Sequence, residues 1–100
     1  MGLKILVIGR NQGELKQLER VLKLKKYDVT GCLSDDDALK KIQNHPYDAL
    51  LLANNMKLES KAIFKQFSRE QRPGMPVIEI KESIDSVAED IEAAMIDTRE

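Results

Sequence analysis

Gly9-Arg10-Asn11-Gln12-Gly13 stands between an apolar run and a stretch of helical periodicity. In that setting backbone N–H groups and a helix N-terminus can hold a phosphate, with Arg10 as the charge partner. The glycine spacing is neither that of a dinucleotide fingerprint nor that of a P-loop. A tight strand-to-helix turn carrying a solvated arginine therefore accounts for the segment more directly. A second polar pair, Asn54 and Asn55, follows another apolar run, and Arg10, Asn11, Asn54 and Asn55 together are the candidate anion-binding residues.

The remaining chemistry-bearing residues are isolated. His45 lies in a turn before Pro46, with no serine, cysteine or second histidine placed to complete a triad or a metal site. Cys32 is the only cysteine, which rules out an intrachain disulfide and leaves a cysteine-based zinc site without partners. Asp35-Asp36-Asp37 opens a helix, where the macrodipole already favours acidic side chains, and Lys23, Lys25 and Lys26 close one for the same reason. No catalytic residue, metal site or cofactor is expected.

The elements that must position these residues alternate. Leu3 to Ile8 is a continuous aliphatic run ended by Gly9, the pattern of a strand buried on both faces of a parallel sheet. From Asn11 as N-cap, Leu15, Leu18, Val21 and Leu22 recur at helical spacing to a C-terminus near Lys26. Tyr27 to Leu33 reads as a second strand, and Ser34 with Asp37 resembles a capping box opening a helix with Ala38, Leu39 and Ile42 inward. Tyr47 to Ala53 is a third strand. A helix from about Glu59 to Gln71 follows, with Ala62, Ile63, Phe64 and Phe67 as its buried stripe. Met75 to Ile80 gives a fourth strand, and Ser83 can cap a last helix carrying Ile84, Val87, Ala88, Ile91 and Met95.

Strict β-α alternation implies a parallel sheet with right-handed crossovers. Short connections allow the order 2-1-3-4 of a three-layer, doubly wound, flavodoxin-like α/β fold. With two helices per face, the last helix covers the third and fourth strands beside the first helix. The fourth strand, with Val77 and Ile78, then lies at a sheet edge through which association is feasible.

Composition agrees with a single domain over residues 1–100: 42% of residues are hydrophobic and 33% charged. The 16 basic residues are scattered among 17 acidic ones for a net charge of −1, which argues against nucleic acid and an anionic membrane surface as partners. The apolar run near the start is far shorter than a signal-peptide core or a membrane span, so a cytoplasmic protein is expected.

Lys4-Ile-Leu-Val-Ile8, Tyr27-Asp-Val29, Ala38-Leu39 and Pro46-Tyr-Asp-Ala-Leu-Leu-Leu52 stand in an order and spacing that resemble the receiver domains of bacterial response regulators, over about the first 80 residues. The resemblance implies an acidic pair for magnesium after the first strand, a phosphorylatable aspartate ending the third, a hydroxyl residue after the fourth and a lysine after the fifth. On this pattern Gly9 and Arg10 replace the acidic pair, Ala53 replaces the phosphoacceptor, and Lys81 lies near the hydroxyl switch position. The Met-Pro that usually follows the phosphorylation site appears as Met56-Lys57, and the Asp-Gly that usually opens the third helix appears as Ser60-Lys61.

One β-α unit of the family is missing. The last helix corresponds either to the family's fourth helix or, with Ile80-Lys81 before it, to its terminal one. The function this implies is a non-enzymatic pseudo-receiver in a two-component-type regulatory system, acting on a protein partner that includes a second copy of itself. A different class remains open on the residues: a small-ligand or nucleotide-phosphate binding domain using the carboxyl ends of the first and third strands.

Overall fold

The computed structural model describes residues 3–53 and 56–80. Its elements run β1 (Lys4–Ile8), α1 (Gln12–Leu24), β2 (Asp28–Cys32), α2 (Asp35–Asn44), β3 (Ala49–Leu52), α3 (Leu58–Gln71) and β4 (Val77–Glu79). The four strands are parallel in the order β2-β1-β3-β4, which is the flavodoxin-like arrangement expected from the alternation. The expected last helix, with Lys81 before it, and the Asn54-Asn55 turn lie outside the described residues.

β1 and β3 occupy the centre of the sheet because their side chains are apolar on both faces. Ile5, Leu6, Val7 and Ile8 are wholly buried, as are Ala49, Leu50, Leu51 and Leu52. Each large aliphatic side chain removed from water contributes about 1.5–3 kcal/mol. The pleat sends Ile5, Val7, Ala49, Leu51, Ile78 and Ile80 into one layer with Leu15, Leu18 and Leu22 of α1. Leu6, Ile8, Leu50 and Leu52 enter the other with Ala38 and Ile42 of α2 and Phe64 of α3. Cys32 is buried in this second layer and packs there as a small apolar side chain.

Local chemistry explains where the element ends depart from the periodicity. The backbone turns left-handed at Lys26, with φ 68°, so α1 stops at Leu24 rather than near Lys26. The Lys26 N–H donates to the Lys23 carbonyl and the Tyr27 N–H to the Leu22 carbonyl, which together make a Schellman motif. Tyr27 is thereby spent on the helix end, and β2 begins at Asp28. α1 itself opens as expected, the Asn11 carboxamide accepting from the Glu14 N–H at 3.0 Å.

Two expectations are corrected. Ser34 precedes α2 but makes no side-chain cap, so no capping box forms with Asp37. In α3 the buried residues are Phe64 and Ser68, with Phe67 partly buried, while Ala62 is exposed and Ile63 is 54% exposed. A helix resting on a sheet buries a narrow stripe, and Phe64 with Ser68 one turn on defines it.

Candidate functional site

The parallel ladder runs one residue beyond each central strand. The Gly9 N–H donates to the Cys32 carbonyl at 3.0 Å, and the Ala53 N–H to the Ile8 carbonyl at 2.9 Å. With Ile8 in register with Leu52, Gly9 and Ala53 stand side by side at the carboxyl end of β1 and β3. A Cβ on Gly9 would lie 3.5 Å from the Ala53 methyl. Ala53 is 1% exposed, and neither residue carries a side-chain oxygen or nitrogen. A methyl group offers no nucleophilic oxygen.

Arg10 turns to the opposite face of the sheet. Its Nη2 lies 2.5 Å from Asp35 Oδ1, its Nη1 donates to the Leu33 carbonyl at 3.4 Å, and Nη2 also reaches Ser60 Oγ at 3.3 Å. The Ser60 hydroxyl in turn donates to Asp35 Oδ2 at 3.2 Å. The three side chains close a ring that ties the β1-α1 loop to the first residue of α2 and the first turn of α3. The arginine read from sequence as solvated is thus ion-paired, although its side chain stays 32% exposed.

The two described candidate anion-binding residues, Arg10 and Asn11, are each engaged within the chain. Arg10 is paired, the Asn11 carboxamide caps its own helix, and Asn54 and Asn55 lie outside the described residues. Sequence reasoning missed Asp35 and Ser60. Only their proximity to helix starts pointed to them, and that signal is shared by many surface residues. His45 sits in its turn as expected, exposed and edge-on to Tyr47 at 6.4 Å between ring centroids, its carbonyl accepting from Arg72. Tyr47 also borders a groove of about 260 Å³ with Lys4, Thr30 and Lys41, at the opposite end of the sheet from Ala53.

Among the described residues no three histidine, cysteine or acidic side chains gather closely enough to hold a metal ion, and no helix is long and apolar enough to cross a membrane. Burial raises the Cys32 thiol above its ordinary pKa, an effect that the Lys41 charge partly offsets.

This architecture, a parallel sheet in the order β2-β1-β3-β4 with α1 on one face and α2 and α3 on the other, is shared with response-regulator receiver domains. The chain is similar to a CheY-like receiver domain protein from Methanospirillum hungatei JF-1, with a TM-score of 0.82 and 15% identity over 99% of this chain and 98% of that one. A beryllofluoride-activated NtrC4 receiver domain dimer matches with a TM-score of 0.81 and 17% identity over 95% and 98% of the two chains. The response regulator TrrA from Thermotoga maritima, in complex with magnesium and beryllofluoride, matches with a TM-score of 0.76 and 18% identity over 94% and 99%. At these identities the likeness defines the fold. No protein-family model and no curated protein matches the sequence.

Proposed function

We propose that the chain is a pseudo-receiver: a non-enzymatic signalling module that keeps the receiver scaffold, does not accept a phosphoryl group, and works through contact with a protein partner in a two-component-type system. The observation that carries this reading is the pairing of Gly9 with Ala53. Where a receiver's metal ligand and phosphoacceptor would face each other, the chain puts a hydrogen atom against a methyl group. A hard octahedral cation demands oxygen ligands, and these two residues supply none from their side chains. Lys81 at the switch position is, on the same reading, a further loss. A second copy of the chain is one candidate partner, since a receiver of this fold is a dimer in its beryllofluoride-activated form. A cytoplasmic location fits the reading.

Incubation with acetyl phosphate and magnesium, followed by intact-mass measurement, tests it. The expected spectrum shows unmodified chain only, and addition of beryllofluoride leaves the amide NMR spectrum unchanged. A stoichiometric phosphoryl adduct, or a magnesium-dependent beryllofluoride shift, would overturn it.

The ligand-binding reading draws less support. Its one charged anchor, Arg10, already has a carboxylate partner.

A further inference from the structure

The ring at Arg10 has the composition of an oxyanion site with its place taken. A guanidinium and a hydroxyl from chain segments 50 residues apart converge on one carboxylate, and each of the two Asp35 oxygens has its own partner. An arginine presents donors in a planar fork suited to two oxygens of a carboxylate or a phosphate. Here the fork is split, one arm on the Leu33 carbonyl and the other shared between Asp35 and Ser60. The carboxylate thus takes a single arm of the guanidinium.

We propose that Arg10 and Ser60 form a self-blocked phosphate site, in which the Asp35 carboxylate occupies the position of the anion. The ligand class is a tetrahedral phosphate, either free or as a monoester. Such a dianion carries more charge than Asp35 and can engage both arms of the guanidinium together with the Ser60 hydroxyl. Asp35 competes from inside the chain, attached to the first residue of α2, and so at high effective concentration. The site opens to phosphate only when that carboxylate is neutralised or drawn away. The proposal does not depend on the pseudo-receiver reading, which concerns the lack of a covalent phosphoryl adduct, whereas this site binds reversibly through Arg10. Intact mass reads the first and leaves the second unseen.

The test titrates inorganic phosphate, and methyl phosphate in a parallel arm, into the full chain at constant ionic strength, read by amide chemical shifts around residues 10, 35 and 60. D35N is expected to bind phosphate at least about tenfold more tightly than the wild type, a factor of the size one charge-assisted hydrogen bond supplies. D35A serves as the second variant, because an asparagine oxygen can still accept from Arg10. The double variant R10A/D35N is expected to lose the gain. Thermal melts establish that each variant is folded. Methyl phosphate binding as well as the free ion assigns the site to an ester, and weaker binding assigns it to phosphate itself. Equal affinity in the wild type and both Asp35 variants, or a gain that survives removal of Arg10, overturns the proposal.

Discussion

Gly9 and Ala53 face each other across the carboxyl ends of two neighbouring parallel strands, close enough that a Cβ on one would be in van der Waals contact with the methyl of the other. The space accepts a Cβ on Gly9 without displacing backbone, because the nearest atoms lie at 3.5 and 3.9 Å. A methyl group at position 9 is therefore not sterically excluded.

That geometry predicts that magnesium affinity can be introduced by carboxylates at positions 9 and 53. A53D alone buries an unpaired carboxylate and is expected to lower stability by about 1–3 kcal/mol. In G9D/A53D two acidic groups stand side by side and repel, so the apo protein is destabilised further. Millimolar magnesium is expected to raise the melting temperature of the double variant and to leave the wild type unmoved. Calorimetric scans with and without the ion check this, and a wild-type shift equal to the variant's would contradict it.

Gly31 is held to its type by packing. It lies in register with Val7, under α1, where a Cβ would overlap the Glu19 carboxylate and sit 3.0 Å from Leu15 Cγ and Cδ2. The Glu19 end is flexible, but Leu15 is 7% exposed and fixed in the core. G31A is expected to cost about 1–3 kcal/mol in urea unfolding, as overpacking does. Combining it with E19A recovers only part of the loss, because the Leu15 contact remains.

The central strands were legible because eight consecutive-run residues are apolar on both faces, a pattern that solvent-facing elements do not show. The inner stripe of α3 was legible in part: Phe64 and Phe67 pack in the core as read, but Ser68 is wholly buried while Ala62 is exposed and Ile63 half-exposed. The ring of Arg10, Asp35 and Ser60 was illegible for a different reason: its members are 25 and 50 residues apart, polar, and without periodicity. The apolar runs placed Gly9, Arg10 and Ala53 at strand ends, and only the resemblance to receivers gave those positions a functional meaning.

Ser68 yields a prediction of its own, since its buried hydroxyl has no hydrogen-bond partner among the described residues. Removing an unsatisfied polar atom is favourable, and the alanine methyl fits the volume left. S68A is expected to stabilise the chain by about 1 kcal/mol in chemical denaturation, helped by alanine's higher helix propensity. A loss of more than about 1 kcal/mol would mean that the hydroxyl makes a needed interaction.

Lys26 holds a left-handed conformation at the end of α1, the position that glycine takes in a Schellman motif. Its side chain is exposed, so nothing is lost from the core on removing it. K26G is expected to gain about 0.5–1 kcal/mol, from relief of the Cβ clash set against glycine's greater freedom in the unfolded chain. Equilibrium urea melts at one pH are sufficient to measure it.

Cys32 predicts a loss of stability at alkaline pH. Burial raises its folded pKa above the ordinary 9.0, so between those two values the unfolded chain has lost the thiol proton that the folded chain retains. Stability from this group is fully present below pH 9.0 and falls as pH rises through the interval. C32A, which removes the titration, is expected to flatten that decline while costing some core packing at neutral pH. In the native wild type the thiol should resist alkylation at pH 8 and react at the rate set by unfolding, because the reactive thiolate is scarce in the folded state. Denaturation midpoints measured from pH 7 to 10.5 on both proteins decide the matter: parallel curves would show that some other group governs the alkaline loss.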